Sequence, residues 1–576
     1  MILSSSSLLH SFGYLILLSA SSFTAASPIA ADVPSSSDAW TPSTSQINIT
    51  SFATEPYVAN GYIGARLPAE GVGLRIHPAI DYDAQNGTQG WPLFTLRQTA
   101  SIVAGFYDQQ DTTKGTNFVR TLFFVSLFLC FLRMAISARS NVRVPWSIDS
   151  LSFYFPFVSV LFPSLSISLH FNQDQTGGQQ VISLLPTWTS LYLTVSPSQG
   201  DGSPATYKVG VPLDHIQTYS QSMSLRNGIV QTTVSWSPFK ASNNSTTAAA
   251  PDKSDLLQLK YTVLAHRSRP NLGLVRLDVS GLSEGQKVII TDALDGAGAQ
   301  RVEGEQAGKL DTKELANAIF SSVRPSGIQD TTAWEISTLQ LVGGKQTALT
   351  AVDVPESVGL GTSQSTVSQS YSMTAPQGGQ LAVFKAVGIA SSDAFKGTER
   401  KTALETAKKA GTDGWDKLVS EHTAAWESLW SEGGEIVIHG AKNLKNKKTV
   451  LDDLQETTIS SLFHLLANVR HGSEKTGLGD NSIAPAGLTS DSYAGGIFWD
   501  AETWMYPSLL SLFPDYATSI NNYRSKLLGE ATKNAKKYNR EGVLYPWVSF
   551  RYGNCTGREI MHGGSFFLVG IFGFGR

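Results

Sequence analysis

Hydrophobic and polar positions alternate along much of the chain between residues 47 and 390. Seven segments combine this period of two with β-branched or aromatic residues and end in clusters of Gly, Pro, Ser or Asn, which is typical of β-strands. The predicted strands are 181–195, 229–236, 256–265, 272–279, 288–292, 334–342 and 381–389. Because many strands follow one another with little helix between them, the pattern predicts a large antiparallel β-sandwich.

After residue 395 the apolar positions recur every three or four residues, as in amphipathic helices. The positions of the first such stripe are Trp415, Leu418, His422, Trp426 and Leu429. Two further helices are predicted for 451–466 and 521–539. We expect Asp413 to cap the first helix and Gly433-Gly434 to end it. We interpret His422 as a structural histidine because it lies within the apolar stripe.

Composition excludes several classes of function. The chain has 576 residues, enough for more than one domain, and a net charge of -3 without a basic, aromatic-rich patch, which argues against nucleic acid as a partner. Its two cysteines cannot form a disulfide framework, and no His or Cys spacing typical of a zinc site is present. We therefore expect no metal and no cofactor. The sequence leaves the oligomeric state open.

The N-terminus has the composition of a secretory signal. Residues 1–26 combine an apolar centre at 15–18 with small residues before Ser27, although they contain no Lys or Arg. Acceptor sites for N-glycosylation, which support export, lie at Asn48, Asn86, Asn243, Asn244 and Asn554. Together these features predict a secreted glycoprotein in the cell wall, the extracellular space or the vacuole.

Residues 118–173 differ from their surroundings, since ten of the 27 phenylalanines lie here. The apolar run 121–132 is shorter than the roughly 20 residues that a membrane helix needs. The run 151–169 is interrupted by Pro156 and Pro163. A two-pass membrane hairpin is one interpretation. We favour translated non-coding sequence, such as a retained intron, because an apolar insert in a sandwich strand promotes aggregation. We therefore expect no membrane partner.

Residues 495–507, with the sequence GGIFWDAETWMYP, form the most informative segment. They place the carboxylates of Asp500 and Glu502 among four large aromatic residues. Aromatic rings stack on the C–H face of a sugar, and carboxylates accept hydrogen bonds from its hydroxyl groups, so this mixture is typical of carbohydrate sites. The alternative is a buried aromatic helix start. For Trp504 and Tyr506 we favour this alternative, a plain core position.

Further motifs stand in order along the chain. They are ANGYIGAR at 59–66, GFYD at 105–108, LRNG at 225–228, HRSRPNLG at 266–273, the segment 481–507, and YPW at 545–547 continuing to NCT at 554–556. Together they resemble glycoside hydrolase family 65 and, within it, the fungal acid trehalases. The resemblance covers roughly residues 45–117 and 174–557. Several separated motifs in one order are far more specific than any one of them.

The resemblance implies an α+β multidomain fold with an N-terminal antiparallel β-sandwich, a helical linker and the start of an (α/α)6 barrel. We place the signal at 1–26 and a flexible Ser/Thr/Pro-rich entry at 27–46. The sandwich domain then covers 47–395 with the insert 118–173, the linker covers 396–435, and an incomplete barrel domain covers 436–576.

The resemblance also implies hydrolysis of α,α-trehalose to glucose with inversion. Trp499 and Asp500 match the family's tryptophan–aspartate pair that holds the sugar in the first subsite. Glu502 is a further candidate for substrate binding. Residues two apart on one helix lie about 200° apart around its axis, so Asp500 and Glu502 cannot both face the ligand there. Glu502 is then a supporting or capping residue.

The C-terminal part departs from the family pattern. After the position of Thr556, acid trehalases continue with a second cysteine and an acidic-aromatic run that contains the general acid, whereas this chain continues with residues 557–576. We assign no general acid or base, do not transfer that role to Glu559, and expect this chain to lack the general acid. Two other functions stay open. One is a disaccharide phosphorylase of the same family, against which a secretion signal argues, and the other is a non-catalytic carbohydrate-binding or inert fragment.

Overall fold

The alternating segments form antiparallel sheets in the computed structural model of the protein. The structure describes residues 39–78, 96–109, 180–197, 203–239, 256–343, 349–438, 448–474, 476–537, 539–546 and 548–550. Its strands in chain order are β1 (Ser43–Thr44), β2 (Tyr57–Ala59), β3 (Ile63–Arg66), β4 (Ile76–Pro78), β5 (Leu96–Gln98), β6 (Ser101–Tyr107), β7 (Ile182–Leu185), β8 (Leu191–Val195), β9 (Ala205–Tyr207), β10 (Ile216–Ser224), β11 (Ile229–Trp236), β12 (Leu257–Ala265), β13 (Leu272–Ser280), β14 (Lys287–Leu294), β15 (Val302–Lys309), β16 (Ala318–Pro325), β17 (Ala333–Leu341), β18 (Thr350–Val352), β19 (Val367–Thr374), β20 (Leu381–Ser391), β21 (Ile497–Phe498) and β22 (Val548–Ser549).

Three of the sheets build a sandwich. The largest has the order β1-β10-β11-β12-β13-β20-β17-β16-β15, and it packs against the sheets β18-β19-β14-β8-β9 and β2-β3-β6-β7. Two further pairs are β4-β5 and β21-β22. The core contains large side chains without solvent exposure, among them Trp188, Tyr207 and Tyr261. Because each inner face is apolar, burial of these side chains is the main force that holds the sheets together.

Six of the seven predicted strands are confirmed to within two residues at each end. The seventh, 181–195, was predicted as one strand and this is wrong, since β7 ends at Leu185 and β8 begins at Leu191. Pro186 lies between them. A proline has no N–H for the ladder and breaks a strand that would otherwise be continuous.

Helices follow the last sandwich strand. They are α1 (Ser392–Phe395), α2 (Glu399–Asp413), α3 (Trp415–Gly433), α4 (Lys448–Ala467), α5 (Tyr506–Leu510), α6 (Pro514–Lys526) and α7 (Leu528–Lys537), together with a π-helical turn at Ala501–Met505. Short 3-10 turns lie at Phe52–Thr54, Leu213–His215, Gly296–Gly298, Glu356–Val358 and Gly472–Glu474. The chain therefore combines a mostly β part with a helical part, as the coarse fold class predicts. Separate domains with the predicted bounds, and a barrel, remain predictions.

Two helix details differ from the prediction. Asp413 does not cap α3 but is the last residue of α2, where its carboxylate binds Arg269, Lys409 and Lys417. The predicted helix 521–539 is instead divided between α6 and α7. By contrast, α3 ends as predicted, with Gly434 in a left-handed conformation at φ 79° that glycine adopts without steric cost.

Helix α2 covers the outer face of the largest sheet along β20 and β17. Every residue of β20 except Ala382 is buried, because the sandwich core covers one face and α2 the other. A Cβ atom at Gly388 would lie 1.9 Å from the carbonyl oxygen of Ala403. Only glycine therefore permits this close approach of helix and strand.

Of the segment 27–46, predicted as a flexible entry, the structure describes residues 39–46, and these contact the sandwich and the helices. Ser43 and Thr44 pair with β10, and the ring of Trp40 packs edge-on against Trp430 at 5.1 Å between centroids. Arg226 of the LRNG motif stacks on the same ring at 4.0 Å. Within the described ranges, none of the helices combines the length and apolar character needed to cross a lipid bilayer.

Candidate functional site

Two unusual backbone features flank Trp499 and Asp500. On the N-terminal side, three consecutive residues are left-handed: Tyr493 at φ 55°, Ala494 at 57° and Gly495 at 64°. Left-handed tyrosine and alanine are energetically costly, and such strain persists only where surrounding contacts impose it, often at functional sites. The short pair of β21 with β22 then leads directly to Trp499.

On the C-terminal side, the chain makes a π-helical turn over Ala501–Met505. The N–H of Tyr506 donates to the carbonyl of Ala501, five residues earlier, instead of four as in an α-helix. Single π-turns are rare and occur frequently at functional sites. The wider turn places Trp499 and Asp500 at its N-terminal end.

Trp499 and Asp500 are both partly exposed. Trp504 lies beside them, with its ring centroid 5.3 Å from that of Trp499 and its Nε1 donating to Asp500 Oδ1 at 3.2 Å. The core position favoured for Trp504 is wrong, since 57% of this residue is exposed. Tyr506 is half-buried and packs against the main core. The result is an aromatic surface with one carboxylate, which can stack on a sugar face and accept its hydroxyl hydrogen bonds.

Glu502 lies on the buried side of the same turn. Its Oε1 accepts from Arg524 Nε at 2.6 Å and its Oε2 accepts from Arg524 Nη2 at 3.0 Å. The other guanidinium contacts are Nη2 to the Phe498 carbonyl at 3.1 Å and Nη1 to Ser549 Oγ at 2.9 Å. Burial lowers and the Glu502 carboxylate raises the pKa of Arg524, which ends above its ordinary value. The two acidic residues therefore differ in their surroundings, since Asp500 is partly exposed and Glu502 is buried and paired with Arg524.

Sequence reasoning missed Arg524. The buried residues of α6 include Tyr516, Ile520 and Arg524, which recur every four residues along one face. An arginine on an apolar helical stripe needs a buried carboxylate, and Glu502 in a neighbouring aromatic segment is a natural partner. This periodicity was the signal available from the sequence.

Residues of the sandwich bind the left-handed turn through hydrogen bonds and ion pairs. Tyr107 of the GFYD motif donates its hydroxyl to the Gly495 carbonyl at 2.6 Å. Arg301 Nη2 donates to Asp491 Oδ2 at 2.8 Å, just before the turn, and also to the Ile182 carbonyl. Arg97 Nη1 lies 3.5 Å from Asp491 Oδ1. These contacts impose the strained conformation and tie the site to the sheets.

The other motifs meet elsewhere, at a buried polar contact between sandwich and helices that we call the polar seam. We define it by Asn60, His266, Arg267, His422, Arg470 and Glu474. Arg470 donates through Nη1 to the carbonyls of Asn60 and Arg267 and forms an ion pair with Glu474. Arg267 donates through Nη1 to the Leu466 carbonyl at 3.0 Å.

Asn60 uses every hydrogen-bonding group of its side-chain amide in the polar seam. Its Nδ2 donates to the carbonyls of His266 and Pro270, and its Oδ1 accepts from the N–H groups of Tyr62 and Ile63. The ANGYIGAR and HRSRPNLG motifs are therefore joined at one point. The geometry gives both motifs a structural role, distant along the chain from the Trp499–Asp500 surface.

Two histidines of the polar seam are neutral because they are buried. In His422, Nδ1 accepts from the Arg267 N–H at 3.0 Å and Nε2 donates to the Asn227 carbonyl at 2.5 Å. In His266, Nδ1 accepts from the Arg269 N–H and Nε2 donates to the Leu418 carbonyl. Burial lowers the pKa of His422 to about 3 and that of His266 to about 4. The structural role predicted for His422 is confirmed.

Some predicted features can be located and others lie outside the described residues. Asn48 is exposed, and its Oδ1 accepts from the N–H and the hydroxyl of Thr50. Within the part of the chain that the structure covers, no group of three or more His, Cys, Asp or Glu is arranged to hold a metal ion. The predictions that lie outside the described residues are the signal 1–26, the insert 118–173, the acceptors Asn86, Asn243, Asn244 and Asn554, both cysteines, and residues 557–576.

Two domains of one sequence family match the chain. Residues 166–429 match the N-terminal domain of glycosyl hydrolase family 65, and residues 460–562 match the central catalytic domain of the same family. Together the two matches cover more than half of the chain. The first includes the inner strands of the nine-stranded sheet, and the second includes residues 495–507 with Trp499 and Asp500.

The relatives are carbohydrate-active proteins. A cell wall acid trehalase of Candida albicans is 29% identical over 88% of this chain and 38% of its own length. A kojibiose hydrolase of Mucilaginibacter mallensis is 32% identical over 30% of this chain and 23% of its own length. This chain therefore spans less than half the length of the curated relatives that it matches.

A solved structure has a similar fold. It comes from the human microbiome, is provisionally described as a kojibiose phosphorylase, and superposes with a TM-score of 0.57 at 14% identity over 90% of this chain and 53% of that chain. At this identity the likeness concerns the fold alone, a mostly β part followed by helices.

Proposed function

The chain belongs to glycosyl hydrolase family 65, and on this premise we propose that it is an acid trehalase-like glycoside hydrolase. The proposed reaction is hydrolysis of α,α-trehalose to two glucose molecules with inversion at the anomeric carbon. The identity to acid trehalases over most of this chain supports the substrate.

The observation that carries the proposal is the surface formed by Trp499, Asp500 and Trp504. It joins two indole rings to a carboxylate, and unusual backbone on both sides gives the surface a defined shape. In the proposal Trp499 forms the wall against one glucose ring of trehalose, and Asp500 accepts hydrogen bonds from its hydroxyl groups. Sugar recognition commonly uses these two kinds of contact, an aromatic ring against the C–H face of the sugar and a carboxylate that accepts from its hydroxyl groups.

Glu502 has a supporting role in this proposal. An inverting glycosidase needs an acid and a base with carboxyl groups roughly 6.5–9.5 Å apart. Both Glu502 oxygens accept bonds from Arg524 in a buried environment, so Glu502 is poorly suited to exchange protons with substrate. We assign neither the general acid nor the general base among the described residues.

The test is release of glucose from trehalose by the full chain at acidic pH, with and without inorganic phosphate. Because we expect this chain to lack the general acid, the proposal predicts slow release that is equal under both conditions and is lost in Asp500→Ala. The matched control is Asp515→Ala, because Asp515 is an exposed carboxylate on the first turn of α6. Release that requires phosphate would replace hydrolysis by phosphorolysis. Binding of trehalose without release would identify a non-catalytic carbohydrate-binding protein.

We also propose that the protein is exported and glycosylated, in the cell wall, the extracellular space or the vacuole. The signal-like residues 1–26 and the exposed acceptor Asn48 support this. Expression in a fungal host should give a product whose mass falls on treatment with an N-glycosidase. A smaller mass change in Asn48→Gln would assign one glycan to this residue, and an unchanged mass of the wild-type product would contradict glycosylation.

A further inference from the structure

Arg524 binds residues that precede and follow the Trp499–Asp500 pair in the chain. Its guanidinium group binds the Phe498 carbonyl, immediately before the pair, and both oxygens of Glu502, two residues after Asp500. Its Nη1 binds Ser549 Oγ on the partner strand β22. One rigid planar group therefore fixes three points around the turn.

The surroundings hold the guanidinium group itself in place. Arg524 is only 6% exposed, and its own carbonyl accepts from the Tyr545 hydroxyl at 3.1 Å. Ser549 Oγ is shared with the Tyr523 hydroxyl at 2.8 Å. Because so little of Arg524 is exposed among the described residues, we expect it to act through the groups that it binds.

The turn also contains bonds of its own, including those from the Tyr506 N–H to the Ala501 carbonyl and from the Thr503 hydroxyl to the Trp499 carbonyl. The Trp499 carbonyl accepts from the N–H groups of Glu502 and Thr503, both at 3.2 Å, and Asp500 accepts from the Trp504 indole at 3.2 Å. These distances are at the long end for N–H···O bonds. The charge-assisted bonds of Arg524 are stronger, so they add to the turn's own bonds in selecting one conformation.

We propose that Arg524 is a positioning residue for sugar binding at Trp499 and Asp500. It holds β21 and the π-helical turn at a fixed distance from β22, and this fixes the direction of the indole ring and the carboxylate. The proposal rests on the proposed function, since it assumes that this surface binds a glucose ring of trehalose. Lysine at this position would keep the charge but could not bind three groups in a planar fork.

The experiment compares trehalose affinity, thermal stability and amide hydrogen exchange in the full chain. We expect Arg524→Lys to weaken trehalose affinity about tenfold, which corresponds to loss of one charge-assisted interaction, and to speed exchange of the amides in residues 497–505. The matched control is Arg470→Lys, which alters another arginine–glutamate pair with a buried arginine, in the polar seam. It should lower the melting temperature and leave trehalose affinity unchanged.

A milder variant guards against misfolding. Ser549→Ala removes the partner of Arg524 Nη1, of the Tyr523 hydroxyl and of the Ile497 carbonyl, and it leaves the Arg524–Glu502 pair intact. It should therefore weaken trehalose affinity about two- to threefold, on the scale of one neutral hydrogen bond. If the wild-type chain binds trehalose and Arg524→Lys binds it with wild-type affinity, the positioning role is wrong and the proposed function stands. If Arg524→Lys does not fold, wild-type affinity of Ser549→Ala leads to the same conclusion. If the wild-type chain does not bind trehalose, the proposed function falls and this proposal falls with it.

Discussion

Two of the buried polar regions among the described residues are built in different ways. In the polar seam, arginine, glutamate, asparagine and neutral histidine side chains bind one another and many backbone carbonyls. Between the sheets lies a smaller inter-sheet cluster of Asp292, Lys385 and Glu335. There, Lys385 binds Asp292 at 2.7 Å, but neither oxygen of Glu335 has a hydrogen-bond partner among the described residues.

The difference teaches that the buried histidines of the polar seam and the buried Glu335 of the inter-sheet cluster respond to pH with opposite sign. In the polar seam, burial lowers the pKa of His266 and His422. The unfolded chain therefore binds protons first as pH falls below about 6.5, and folding stability decreases towards acid. In the inter-sheet cluster, burial raises the pKa of Glu335 and Lys385 opposes this only in part. The contribution of Glu335 to folding stability is therefore present in acid and is lost as pH rises through the pKa that Glu335 has in the folded state.

The largest effect is expected from breaking the polar seam. Arg267→Met leaves Glu474 and the Leu466 carbonyl without a donor from this side chain, and loss of one partner of a buried ion pair costs about 3–5 kcal/mol. Urea unfolding at neutral pH measures this. The control is Arg324→Met at the more exposed pairs with Glu303 and Glu305, which should cost about 1 kcal/mol or less. Equal costs would show that burial does not distinguish the two sites.

The acid response of the polar seam can be removed at His422. A neutral amide in His422→Gln cannot be protonated, so the variant should recover on the order of 3 kcal/mol of the stability that the wild type loses between pH 6.5 and pH 3. Unfolding midpoints at several pH values measure the change. His215→Gln, which lies outside the polar seam in a surface turn, should keep the wild-type pH profile. Parallel profiles for wild type and His422→Gln would refute the assignment.

The inter-sheet cluster should show the reverse. Glu335→Gln removes a carboxyl group that is costly to ionise in the core, and we expect it to raise stability at pH 7 by about 1–3 kcal/mol and to change little at pH 4. The same unfolding measurements test this. Glu303→Gln, at a half-exposed position, is the control and should be nearly neutral at both pH values. A stabilisation that does not depend on pH would mean that Glu335 is not the titrating group.

The smallest effect is expected on the outer side of α2. Lys401 and Glu405 form an exposed pair at 3.7 Å. Removal of the charge in Lys401→Ala should change stability by less than about 0.5 kcal/mol. A cost similar to that of Arg267→Met would contradict the view that buried polar contacts dominate.

Much of the fold was predictable because it depends on local periodicity. The strands β11 to β14 and helix α3 follow from alternating or helical spacing of apolar residues. The break after Leu185 follows from Pro186, a residue-specific signal that periodicity does not contain. The division between α6 and α7 was not predictable from spacing, since both helices continue the same polar composition.

The site was predictable only in part. The composition of 495–507 identified Trp499 and Asp500, because the chemistry of sugar binding is visible in residue types. It could not show that Trp504 is exposed or that Glu502 is buried against Arg524, since these depend on a π-helical turn and on a helix 22 residues further along the chain. Likewise, nothing local indicates that Asn60 and Arg470 meet, because 410 residues separate them.

Calorimetric titration of trehalose into the full chain tests the central claim most directly. The account predicts saturable binding by the wild type, at least tenfold weaker binding by Asp500→Ala, as expected for loss of a hydrogen bond to a charged group, and unchanged binding by Asp515→Ala. Absence of binding by a folded wild-type chain, or equal affinity of wild type and Asp500→Ala, would contradict it.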